Sequence, residues 1–262
     1  MGKRNIILGF FFFLIFIVFL ASCSQSGNLS SNESSQSSES EELQKVEILL
    51  PAKGTAVYSV YVADELGFFE EEGLDVDIVA GHGSTYVVQQ VGAGTVKVGF
   101  SVASAILPAV EKGTNLKYVY SVNIKNLFDF IVTEDSEVQQ ISDLKGKIIG
   151  VSDLGGGEVP MVRSILKGAG LDPEKDVTLR AVGTEPASIL TGFENGDIDA
   201  YSSGANDLVF LYSAGFKARS LVPEEYQYLP TTGLTVTGET MENDRDLLVK
   251  VGRAVAKATL FS

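Results

Sequence analysis

From Lys45 onward the chain alternates short apolar runs with amphipathic stretches, and this alternation restricts its fold more than any other feature. A short apolar run bounded by glycine suits a strand buried on both faces. A longer stretch with apolar residues three and four apart suits a helix. Repeated strand and helix units build largely parallel sheets with helices packed on them. Strands are expected over 46–50, 76–79, 96–100 and 116–122, and helices over 85–91 and 104–112. Tyr58, Tyr61, Leu66 and Phe69 are read as one helical face that ends at Gly73. Pro108 is expected near the first turn of its helix or at a kink.

The pattern then restarts. Strands are expected over 147–151 and 177–182, with a helix over 158–169 between them. Thr184 reads as an N-cap before Glu185 and Pro186. The halves share a local grammar, because residues 90–101 (QVGAGTVKVGFS) resemble residues 193–202 (FENGDIDAYS). Each segment is a helix end, a glycine stop, a short strand and a serine. The expectation is two similar lobes, 45–127 with 232–262 and 128–231, joined where the chain crosses near 128–132 and 229–236. Few covalent links between compact lobes make a hinge.

Ahead of this unit, Lys3 and Arg4 precede the apolar run 6–20, which meets Ala21 and Ser22. That is the layout of an export signal over residues 1–22 and is short for a membrane span. The only cysteine, Cys23, follows at once, and the tetrapeptide LASC resembles the lipobox of bacterial lipoproteins. The resemblance implies a diacylglyceryl group on the Cys23 thiol and acyl chains of the palmitate kind. Two acyl chains meet the two-signal requirement for stable anchoring. With Cys23 used in this way, no intrachain disulfide and no cysteine metal site is available. Residues 24–42 are Ser, Gln, Asn and Glu with almost nothing apolar, a composition that suits a flexible tether. The expected location is the extracytoplasmic face of the cell membrane.

Charge excludes further classes. The chain carries a net charge of −14, and loss of Lys3 and Arg4 with the signal takes the remainder to −16. Such a chain repels nucleic acid and anionic membrane surfaces.

Four segments carry a family resemblance: ADELGFFEEEGLDV at 63–76, the glycine-rich stop before Val96, DLKGKIIGV at 143–151, and NGDIDA at 195–200. In this order they resemble the periplasmic-binding-protein type II fold, in the branch that binds nitrate, alkanesulfonates, taurine or the pyrimidine precursor of thiamine. The resemblance implies a monomeric solute-binding subunit of an ABC importer, with a small-molecule solute and a membrane permease as partners and no cofactor. Relatives continue for several dozen residues past residue 262, so a truncated first lobe is expected.

In open parallel sheets, ligands bind beyond the carboxyl ends of the strands. The first-lobe candidates are therefore Lys53, Thr55, Tyr58, Ser84, Thr85, Ser101 and Asn123. The second lobe offers Gly155, Gly156, Gly157, Thr184, Glu185, Ser202 and Ser203. Ser84, Thr85 and Thr184 also read as helix caps, and the glycines also read as turn residues. Tyr58, Tyr86 and Tyr201 stand beside these loops, placed either to stack on a flat heterocycle or to fill the core. Lys53 and the helix starts point to an anion such as a sulfonate. A tyrosine pair points to a pyrimidine.

Catalysis is not expected. The segment GFSVA at 99–103 imitates the turn that presents a hydrolase serine, but the lone histidine, His82, precedes Ser101 where that fold places it after. His82 lacks partners at metal-ligand spacing, and residues 155–157 lack the Lys-Ser/Thr of a phosphate loop. Thiamine-pyrimidine synthases of the same fold carry a cysteine-rich iron motif that this chain does not have.

Overall fold

Burial along the first strand shows how each sheet is covered. In β1 (Gln44–Leu50), Val46, Ile48 and Leu50 enter one apolar cluster while Leu49 enters another. Alternate side chains of a strand point to opposite faces, so this strand is covered on both sides. The computed structural model describes residues 42–54 and 57–261. The expected export signal, Cys23, the expected tether up to residue 41 and Thr55 lie outside the described residues.

The first sheet holds β1, β2 (Leu74–Ala80), β3 (Val98–Val102), β4 (Leu116–Ser121) and β10 (Thr232–Thr237), in the order β2-β1-β3-β10-β4. The second holds β5 (Phe128–Thr133), β6 (Ile148–Val151), β7 (Thr178–Ala181), β8 (Ala200–Gly204) and β9 (Ala218–Ser220), in the order β7-β6-β8-β5-β9. Ranked by position within its own lobe, each sheet runs second, first, third, incoming strand, fourth. The sequence grammar shared by the two halves thus has a shared topology beneath it.

As expected, the sheets are mostly parallel, and one reversed strand in each makes them mixed. β10 pairs antiparallel with β3 and β4, and β5 pairs antiparallel with β8 and β9. These two are the strands on which the chain enters from the other lobe. β4 and β9 end at the carboxyl edge of their sheets. A chain crossing from that edge meets the facing edge of the other sheet and must run backward through it.

Helices cover both sheets. In the first lobe, α1 (Tyr58–Glu65), α2 (Phe68–Glu71) and α9 (Arg245–Phe261) close one face, while α3 (Ser84–Gly92) and α4 (Ala103–Glu111) close the other. Along α9, Leu247, Leu248, Val251, Ala254, Val255 and Ala258 form the buried stripe. In the second lobe, α5 (Glu158–Gly168) packs on Phe130, Ile149 and Ala200. α6 (Pro186–Glu194) and α7 (Ala205–Ser213) pack on Ile131 and Tyr201. A short α8 (Gly238–Asn243) is capped by Thr237, whose Oγ1 accepts from the Thr240 amide at 3.0 Å. Among the described residues no helix is long and apolar enough to cross a membrane.

Local expectations are corrected, or narrowed to one of their alternatives, at five places. The helical face drawn through Tyr58, Tyr61, Leu66 and Phe69 is broken, because Gly67 adopts φ +72 between α1 and α2. That left-handed residue turns the next helix, so Phe69 is fully buried while Leu66 is 42% exposed. The third strand lies two residues later than expected, because Val96 and Lys97 complete the turn that follows α3. Pro108 sits inside α4 rather than in its first turn. The caps of α3 and α6 are Gly83 and Glu185, with no side-chain cap bond from either, so Ser84, Thr85 and Thr184 cap nothing. Tyr201 is fully buried and donates its hydroxyl to the Gly183 carbonyl at 2.8 Å, which makes it a core residue and not a stacking surface.

Candidate functional site

The carboxyl edges of the two sheets face each other across the two crossings, and this strip holds Ser84, Thr85, Asn123 and the glycines 155–157 of the residues named from sequence. The crossings are joined to one another. The Thr231 amide donates to the Asn123 carbonyl at 3.1 Å, and the Thr231 hydroxyl donates to the Lys125 carbonyl at 2.6 Å. Tyr118 also donates to the Thr231 carbonyl, at 3.2 Å. Thr231 is 4% exposed, so these bonds are shielded from water.

Of the first-lobe candidates, Ser84 and Thr85 reach the facing lobe. The Thr85 amide points at the Gly155 carbonyl, 3.5 Å away, and buried Ser84 lies against Gly157. Ser104, which sequence reasoning passed over, donates from Oγ to the Gly157 carbonyl at 3.0 Å. Asn123 also sits in the strip, and its Oδ1 is a buried acceptor without a partner. Leaving such an acceptor unmet costs free energy, on the order of 1–3 kcal/mol, so it favours a bound donor.

Other candidates are committed elsewhere. Ser101 shares a 2.8 Å hydrogen bond with Thr235 in the buried middle of the first sheet. It is not presented as a nucleophile. Ser202, at the matching position of the second sheet, donates to the Asp129 carbonyl at 2.7 Å, and Ser203 donates to Asp207 Oδ2 at 2.7 Å. Thr184 and Glu185 are exposed ahead of α6, Lys53 is exposed in the bend after β1, and Tyr58 is part-exposed at the start of α1. His82 is exposed and meets Tyr86 edge to face at 5.5 Å.

The residue that sequence reasoning missed is Glu158. It opens α5 directly behind Gly157, yet it is only 2% exposed. A glutamate in a first turn normally faces water, where it complements the helix dipole, and nothing in the sequence marks this one as buried. Its carboxylate accepts from the Ser152 amide at 2.9 Å and from the Ser152 hydroxyl. Burial pushes the Glu158 carboxyl above its usual range, and the bonds from Ser152 act the other way. Asp129 and Asp207 add two more carboxylates to the same edge of the second lobe. Asp129 accepts from the Phe130 amide at 2.8 Å and from Ser220. This lip is therefore rich in acceptors.

A family match now bears on this geometry: the family described as NMT1/THI5 like matches residues 55–262. The chain belongs to the NMT1/THI5-like family. Among curated proteins, the formylaminopyrimidine-binding protein of Halalkalibacterium halodurans is 32% identical over 161 residues, covering 61% of this chain and 48% of the relative. A putative thiamine biosynthesis protein of Haemophilus influenzae is 29% identical over 170 residues, covering 64% of this chain and 52% of the relative. The chain thus spans about half the length of these two relatives.

Solved structures agree on the fold. A Bordetella bronchiseptica protein superposes with a TM-score of 0.69 at 24% identity, covering 83% of this chain and 71% of its own. The alkanesulfonate-binding protein SsuA of Xanthomonas axonopodis superposes at 0.59 and 18% identity, covering 83% and 78%. A Candida albicans protein described as having the generic periplasmic binding protein fold superposes at 0.62 and 15% identity, covering 82% and 71%. The architecture is the periplasmic-binding-protein fold.

Proposed function

We propose that this chain is the extracytoplasmic solute-binding subunit of an ABC importer. In this reading it captures a thiamine-type pyrimidine precursor between its lobes, 45–127 with 232–262 and 128–231, and passes it to a membrane permease. A diacylglyceryl group on Cys23 and the tether behind it hold the monomeric binding unit at the membrane. The protein takes up and releases its solute without catalysis and without a cofactor. Closure about the two crossings is a population shift driven by the extra contacts the solute makes in the closed form.

The observation that carries the ligand class is the buried carboxyl of Glu158. A protonated carboxyl offers one donor beside one acceptor, which matches the ring nitrogen and amino group of an aminopyrimidine. An ionised one accepts two N–H donors. With Asp129 and Asp207 on the same edge, the lip disfavours a sulfonate or nitrate, which would meet like charge. The 32% identical relative named for binding formylaminopyrimidine points the same way. Of the two classes left open by the sequence, the heterocycle therefore replaces the anion as the preferred one.

Thermal unfolding of the full chain in detergent, against formylaminopyrimidine, alkanesulfonates, taurine and nitrate, tests this reading. A true ligand at about 100 times its dissociation constant adds about 2.7 kcal/mol and raises the midpoint by roughly 5–10 °C. A rise with formylaminopyrimidine alone supports the proposal. A rise with an anion alone restores the anion class, and a midpoint that no compound moves overturns the pyrimidine assignment.

A further inference from the structure

Beside α5, which itself packs on α4, the turn that the second lobe presents to the first is three consecutive glycines, 155–157. A Cβ built at Gly83 would lie 2.4 Å from the Gly155 carbonyl oxygen, closer than any real Cβ approaches. A Cβ built at Gly157 would lie 2.8 Å from Val102 Cγ2, 2.9 Å from Phe128 Cζ and 3.2 Å from Ser84 Oγ. Val102 and Ser84 belong to the first lobe, and Phe128 begins the strand on which the chain enters the second. Phe128 packs against a core cluster of each lobe, so it marks the seam from both sides. The polar contacts across the seam run to backbone as well, from Ser104 Oγ to the Gly157 carbonyl at 3.0 Å and from the Thr85 amide toward the Gly155 carbonyl at 3.5 Å.

The two close glycines owe their identity to different causes. Gly83 has φ +88 and ψ 166, a conformation open essentially to glycine alone, so its backbone would require glycine even without a facing lobe. Gly157 has φ −69 and ψ −22, ordinary helical values that any residue adopts. Its own helix leaves room for a methyl group. The three atoms that crowd that methyl are those of the opposite lobe and the crossing strand.

We infer that residues 83 and 155–157 form a side-chain-free seam on which the lobes seat, and that Gly157 is the positioning residue that sets their separation. The inference rests on the capture reading for its purpose, since it fixes how closely groups such as Glu158 and Asn123 converge on a solute. A single methyl at position 157 holds the lobes apart by the distance needed to clear Val102. Interiors are close-packed, so the facing side chains cannot absorb it without moving. Capture then weakens although no ligand-binding group has changed.

The test reads lobe separation directly. Nitroxide labels are placed on exposed Lys112→Cys of the first lobe and exposed Lys167→Cys of the second, in the full chain carrying Cys23→Ser. Pulsed electron resonance then gives the distance between them in detergent without added solute. Gly157→Ala is expected to lengthen and broaden the distance distribution. Gly168→Ala, on the same helix with open space around its Cβ, is expected to leave it at the parent's. The double variant Gly157→Ala with Val102→Ala removes the nearest opposing group and is expected to move the distribution back toward the parent.

A Gly157→Ala distribution equal to the parent's overturns the inference. So does a double variant that stays where Gly157→Ala lies, because the separation would then not be set by contact with Val102. With formylaminopyrimidine as the probe, Gly157→Ala is expected to bind about tenfold more weakly, a loss of about 1.4 kcal/mol. If no pyrimidine binds at all, the ligand reading falls while the distance measurement still decides the seam.

Discussion

The Ser152 amide donates to Glu158 Oε1 at 2.9 Å, and the hydroxyl of the same serine donates to the same oxygen, across a turn of three glycines. Together with the backbone amides of Asp153 and Glu158, this pair offsets the burial of the carboxyl. Removing the serine hydroxyl therefore does more than delete a surface bond.

Ser152→Ala is expected to lower stability by about 1–3 kcal/mol, the range for stripping one partner from a buried polar group. Urea unfolding at neutral pH checks it. A loss below about 0.5 kcal/mol, the low end of a net hydrogen bond, would mean the serine hydroxyl contributes little to holding Glu158.

The pH dependence of Glu158 has a definite sign. Its carboxyl is held above the unfolded value of about 4.3, so between the two values the folded chain binds more protons than the unfolded chain. Stability from this group is complete below the unfolded value and is lost as pH rises through the folded one. Glu158→Gln does not titrate, so its stability relative to the parent should improve as pH rises from about 4 to neutrality. A parent-to-variant difference that stays flat across that range would refute the buried, raised carboxyl.

Ser101 is a core residue despite its position at a strand end. Ser101→Ala should cost about 1 kcal/mol, since Thr235 keeps a 3.2 Å bond to the Gly233 carbonyl. Binding of any solute found in the thermal screen should be unchanged. A loss of affinity larger than about tenfold, or about 1.4 kcal/mol, would return Ser101 to the site.

Phe69 is fully buried between α2 and the cluster that includes Val251, Ala254 and Val255 of α9. Phe69→Ala is expected to cost about 3–5 kcal/mol through lost burial and the cavity left behind. Denaturant midpoints of parent and variant measure this. A cost under about 1 kcal/mol would mean α9 collapses into the space.

Cys23→Ser should abolish acylation and release the chain from the detergent phase in two-phase partitioning. Partitioning identical to that of the parent would overturn the lipid anchor at Cys23 and leave residues 6–20 as the membrane attachment.

How much was legible in the sequence differs between fold and site. Strand and helix alternation and the restart near residue 147 depend on the spacing of apolar residues, which is local information. The break at Gly67 was misread because a glycine at helical spacing signals its left-handed geometry only weakly, while the apolar residues on either side suggest one face. In the site, Ser84, Thr85 and the three glycines were reachable because strand ends can be located from pattern. Ser101, Ser202 and Tyr201 were located by the same rule, but their hydrogen bonds to Thr235, Asp129 and Gly183 join segments remote in sequence.

The sequence by itself determined which segments become strands and helices, that two similar halves exist, and which family the chain joins. All of these follow from side-chain periodicity and short motifs along one dimension. Only the tertiary structure decided that one strand of each sheet runs backward, that Glu158 is buried, and that Gly157 faces Val102 and Ser84 across the cleft. The reason is physical: burial and steric exclusion are set by what the other lobe brings to a residue, and no local pattern encodes that neighbour.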